Sequence, residues 1–182
     1  MSRLLQVLWV LGVLGLVAAC GSSDGDGGGT IDSNEALRGM MQVVALDFAQ
    51  VLADVAPSPD ALAQKQDGAT DCPEGGSAVW NDTGFGGGTL SLDGCRMSGV
   101  AVTGTLSGFV ESGPDYVDGS MMRGPITTTG GYAAELNVTN LIVSAQLPPT
   151  EDFTYWEIRA TTPGGMSLCA WSGGSGCAPS PF

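Results

Sequence analysis

Histidine is absent from the chain, and lysine occurs once, as Lys65. Without histidine there is no Ser-His-Asp or Cys-His machinery, because neither nucleophile has its usual base. Without a Gly-x-x-x-x-Gly-Lys run there is no nucleotide loop, and Gly84-Phe85-Gly86-Gly87-Gly88 follows a strand but opens no helix, so it is no phosphate cradle. No Cys-x-x-Cys pair occurs, which removes the commonest zinc arrangements. Positive charge is scarce: six Lys+Arg stand against nineteen Asp+Glu, a net charge of −13. Such a surface repels nucleic acid and anionic lipid headgroups, so nucleic acid is not an expected partner.

The longest apolar run lies at the start. Arg3 precedes Leu4 to Leu16, interrupted by Gln6, Gly12 and Gly15, and small residues then lead to Cys20. A charged, apolar, small-residue layout is that of a secretory signal. Leu4 to Ala19 is short for a membrane span, which needs about 20 residues. Val17-Ala18-Ala19-Cys20 resembles the lipobox of bacterial lipoproteins. The resemblance implies that the Cys20 thiol carries a diacylglycerol and that residues 1–19 are removed. In many bacteria the new amino group is acylated as well. Gly21, where an Asp would favour inner-membrane retention, implies the outer membrane in a diderm cell. The expected partner is then a lipid bilayer, gripped through acyl chains on Cys20, with an envelope protein as a further partner. Buried chains contribute roughly 0.8 kcal/mol per methylene, and two or more hold where one does not.

Residues 20–31 follow as a Gly- and Ser-rich stretch with almost nothing to bury, expected to be a flexible tether of about 18 Å. Asp24-Gly25-Asp26 lacks the later ligands of a calcium loop. Cleavage leaves five Lys+Arg against nineteen acids, a charge of −14. Residues 32–182 then suit one domain.

Beyond Cys20 an even number of cysteines remains: Cys72, Cys95, Cys169 and Cys177. In an exported chain these read as disulfides, with three possible pairings. Cys72–Cys95 and Cys169–Cys177 are favoured, since each pair brackets a short Gly-rich connection. The first closes a loop worth about 3 kcal/mol, the second somewhat less.

The expected fold class is α+β. Asp32 or Ser33 caps a helix, with Glu35 three residues after Asp32 as in a capping box. Leu37, Met40, Met41, Val44, Phe48, Val51, Leu52 and Val55 form one stripe, ended by Pro57 and Pro59. About 23 residues at 1.5 Å each reach roughly 34 Å, long enough to cross a sheet. From Cys72 onward, short alternating segments predict about seven strands in an antiparallel meander. They run near 77–81, 89–93, 100–110, 120–129, 132–145, 153–161 and 166–171. Pro125 predicts an edge position for the fourth, and the alternation slips near Asn140-Leu141, as at a bulge. The helix is expected to pack on a curved, mostly antiparallel sheet, or within a small open barrel. Gly-rich Cys72–Gly108, with Asp93-Gly94-Cys95 and Gly104-Thr105-Leu106-Ser107-Gly108, looks like stretches in uncharacterised envelope lipoproteins, a likeness that carries no activity.

Chemistry has few candidates. Asp115 with Asp118, Glu151 with Asp152, and Glu111 near Asp115 are carboxylate pairs, ordinarily exposed acids at this net charge. Tyr155, Glu157 and Arg159 share one strand face, expected to be a polar outer surface. Trp80, Trp156 and Trp171 are expected in the core. No cofactor, metal or catalytic residue is expected. The leading functional expectation is a lipid-anchored envelope protein that binds or scaffolds. A carrier of an apolar ligand between helix and sheet comes second, and a carboxylate-based hydrolase third. The first two divide on one feature: a cavity against Met40, Met41 and Phe48, or a filled core.

Overall fold

A computed structural model describes residues 29–56 and 67–177. Within them the α+β expectation holds: one helix near the N-terminus and one large, open sheet, antiparallel except for its first short strand.

The helix α1 runs Asn34–Val55. Its cap is Ser33, whose Oγ accepts the Ala36 N–H at 3.2 Å. Counting from Ser33 puts Ala36, not Glu35, at the third helical position, so the anticipated capping box does not form. Every residue of the anticipated stripe is buried, joined by Ala45 and Ala49, while Glu35, Gln42 and Asp54 are exposed. By length and hydropathy α1 passes for a membrane span, but its apolar face is covered by the sheet.

The sheet has more strands than the seven expected. The meander runs β2 (Gly68–Asp71), β3 (Ser77–Gly84), β4 (Gly87–Met97), β5 (Val100–Ser112), β6 (Tyr116–Gly130), β7 (Tyr132–Gln146), β8 (Thr154–Thr161), β9 (Ser167–Trp171) and β10 (Gly174–Ser175), each paired antiparallel with its neighbours in chain order. β1 (Gly29–Thr30) adds a short parallel pair on Tyr132 and Ala133 of β7. β7 outruns β8, whose last partner is Asn137, and β1 takes up the open edge. Ile31, at the end of the stretch read as tether, is only 2% exposed. β1, β2 and β10 are too short or too rich in glycine to alternate, which is why periodicity does not reveal them.

β6 is central, between β5 and β7, not an edge. Pro125 is tolerated because it lies in a gap of the β5 ladder, between the Gly104–Ile126 and Ser107–Arg123 pairs. There its missing N–H forfeits nothing. Gly104 and Gly124 line the gap: a Cβ on either would strike the carbonyl oxygen of Pro125 or Thr105 across it. The slip near Asn140 is a register shift between Val138 and Asn140.

α1 packs against every strand from β2 to β10. A flat sheet of nine strands at about 4.8 Å spacing would be far wider than one helix can touch, so the sheet curls around α1. Among the described residues no pairing joins β2 to β10, and the sheet stays open. Trp80, Leu90, Leu106 and Val143 on the inner face are fully buried, whereas Thr103, Thr105 and Ser107 face solvent.

Candidate binding cleft

The cysteines pair as favoured. Cys72 and Cys95 are joined with Cα atoms 5.3 Å apart, and Cys169 and Cys177 with Cα atoms 4.9 Å apart. The first bridge ties the turn after β2 to the β4 bulge, where Arg96 N–H also donates to Gly75 O at 2.8 Å. The second closes a small loop over β9. Cys20 and the lipobox lie outside the described residues.

The space between helix and sheet, where a carried ligand would sit, is nearly filled. Met40, Met41, Phe48, Met97, Leu106 and Ile158 are among the residues enclosing a cavity of about 30 Å³. Apolar ligand sites run to about 300–1,000 Å³.

Open space lies instead at one end of the sheet, where β6 begins, β7 ends, β8 begins and β9 ends. Two hollows meet there, sharing Glu151, Asp152, Thr154 and Ser172. The inner lobe, about 340 Å³, lies between α1 and β8, with Gln42 and Leu46 facing Trp156. The outer lobe, about 620 Å³, is shallower and carries four aromatic rings: Tyr116, Phe153, Tyr155 and Trp171. Ser144 and Gln146 of β7 complete it.

Strand register explains the gathering. Tyr116 pairs with Gln146, Ser144 with Tyr155, and Glu157 with Trp171. Outward-facing residues of four successive strands thus form one surface. The 3-10 turn Glu151–Phe153 leads directly into β8 and sets both acids and the Phe153 ring on the rim.

The rings are held. Tyr155 Oη donates to Glu157 Oε2 at 3.2 Å, and Arg159 Nε donates to Glu157 Oε1 at 2.8 Å. Glu157 is 8% exposed, so its charge is matched by the guanidinium. Burial first, and then the Glu157 carboxylate, push the Tyr155 hydroxyl above its ordinary range. Tyr116 Oη donates to Glu111 Oε1 at 3.3 Å. Its hydroxyl is likewise raised, by desolvation and then by Glu111. Trp171 is pressed by Gly173, where a Cβ would strike the indole ring. Trp171 is therefore half-buried on the outer face rather than in the core, unlike Trp80 and Trp156.

Thr154 sits in the wall common to both lobes. It is 9% exposed, and its Oγ1 has no hydrogen-bond partner. An unpaired buried hydroxyl costs about 1–3 kcal/mol.

The carboxylate pairs fall in two separate places. Glu151 and Asp152 are both exposed, and a general acid at neutral pH needs burial to hold its proton. Asp118 and Glu111 line a separate hollow with Phe85 and Phe109. Desolvation, then Glu111, raises the Asp118 carboxyl. Among the described residues, no three acids or cysteines converge as a metal site.

Tyr155, Glu157 and Arg159 share one outer face, as their alternation in the sequence predicts, and the two acids form the rim; nothing local in the sequence marks Gln42, Tyr116, Gln146, Phe153 or Thr154 as parts of a site. The available signal was the concentration of outward aromatics near the ends of the later strands. Comparison with known proteins gives no match, whether to family models, to curated proteins or to solved structures.

Proposed function

We propose that the chain is a lipid-anchored cell-envelope protein, held to the bilayer by acyl chains on Cys20, that binds a partner on its outer surface and catalyses nothing. In a diderm cell its place is the outer membrane. The observation that carries the binding part is the filled interior, about 30 Å³ against the roughly 300–1,000 Å³ of ligand sites. A carrier would have to lift α1 from the sheet and expose its ten buried residues. The aromatic cleft at the sheet end is the surface best made for contact, with Tyr116, Tyr155 and Trp171 restrained before anything binds. The anchoring part rests on the lipobox resemblance and on the paired cysteines, which suit an exported chain.

Replacing Cys20 with serine and following the product through cell fractions tests the anchor. The account expects the native chain in the membrane fraction with labelled palmitate incorporated, and the variant without label and released from the membrane. A variant that sediments with membranes, beside a native chain that takes up no label, would overturn it.

A further inference from the structure

We infer that the two-lobed cleft is a binding site for a short neutral glycan; this rests on the binding-module reading and names its ligand class. Three observations converge. Among the described residues the lining has no cation: Arg159, which lies beside it, is paired with Glu157. Phosphates, uronates and other anions would therefore meet only Glu151 and Asp152.

The polar groups that remain suit hydroxyls. Gln42, Ser144, Gln146 and Ser172 line the lobes and can each donate and accept. A sugar presents hydroxyls that do the same. Glu151 and Asp152 accept from further hydroxyls.

The rings supply the apolar half. Tyr116 and Tyr155 have their hydroxyls engaged with Glu111 and Glu157, so ring faces are what they offer. Phe153 is 58% exposed, a cost to leave in water. Trp171 is fixed by Gly173 and by the loop that the Cys169–Cys177 bridge closes. Rigid aromatic faces beside neutral donors fit the alternating C–H and O–H faces of a pyranose. A cationic peptide fits less well. Its charge would meet only the exposed rim acids Glu151 and Asp152, whose pull water screens, and the tetralysine titration below tests that alternative.

The test is a titration of the full lipidated chain in nanodiscs with cellotriose, maltotriose and triacetylchitotriose, read by tryptophan emission, since Trp156 and Trp171 each line one lobe. Tetralysine is titrated in parallel at two salt concentrations. At least one trisaccharide is expected to shift the emission saturably and without salt dependence. Trp171→Ala should weaken that binding by about tenfold, the worth of one aromatic contact. Gln146→Ala, at an exposed position of the outer lobe, should weaken it about three- to tenfold. Thr105→Ala, on the distant outer face of β5, should bind as the native chain does. No response to any of the three sugars overturns the proposal, as does saturable, salt-sensitive binding of tetralysine alone, or trisaccharide binding unchanged in both cleft variants. A glycan failure in a chain that still fractionates through Cys20 removes the ligand class and leaves the tethered-module reading standing.

Discussion

The Oδ1 of Asn34 accepts the backbone N–H of Cys169 at 2.9 Å. One hydrogen bond thus joins the first residue of α1 to β9, across 135 positions of chain, and fastens the helix to the late flank of the sheet. Asn34→Ala should cost about 1 kcal/mol, the usual worth of such a bond. In urea unfolding the midpoint should fall while the slope stays the same, since the surface exposed on unfolding is unchanged.

A tight contact under the last turn of α1 gives a second expectation. Gly119 lies beneath Leu52, and a Cβ there would stand 2.8 Å from Leu52 Cδ1. Gly119→Val overfills a core with almost no spare volume and should destabilise by about 1–3 kcal/mol. The measurement is again the urea midpoint, and Leu52→Ala in the same background should recover part of the loss.

The helix was legible and the site was not, for a physical reason. A stripe at three- and four-residue steps depends only on local geometry, so Leu37 through Val55 can be read without knowing what covers them. The β7 bulge near Asn140 is local too, and so was found. Pro125 misled because its consequence depends on a gap in the neighbouring ladder, which is a property of β5 and β6 together. The cleft depends on register across four strands. Tyr116 and Trp171 are 55 positions apart, and nothing in either neighbourhood says they will line one hollow. The short strands β2 and β10 escaped because a few glycine-rich residues carry no period.

The two bridges should differ in what they do. Cys72 and Cys95 close the longer loop, with a sequence separation of 23. Replacing both with serine should cost about 3 kcal/mol, read from thermal or urea unfolding. Cys169 and Cys177, separated by 8, constrain less chain but hold the loop over Trp171. Their double serine variant should lose somewhat less stability and show red-shifted tryptophan emission in the folded state, as the indole gains water.

Asp118 makes stability pH-dependent. Burial and Glu111 raise its carboxyl in the folded state above the unfolded value, so the folded chain holds that proton more tightly. Above the folded value, with both states ionised, the site carries a constant cost. As pH falls through the folded value the cost is relieved, and below about 4, where the unfolded carboxyl also protonates, it is gone. Asp118→Asn should therefore be more stable than the native chain at pH 7, by less than about 1 kcal/mol because the half-buried site is screened by water. The advantage should vanish near pH 3. A gap that widens towards acid would contradict this reading.

The central claim is that a greasy anchor lies outside a domain whose own interior is full. Native mass spectrometry of the protein, extracted gently from membranes, weighs both parts at once. The predicted species begins at Cys20, carries covalent acyl mass and releases nothing further on mild activation. A chain that sheds a bound lipid on activation, or one whose mass includes no acyl group, would contradict it.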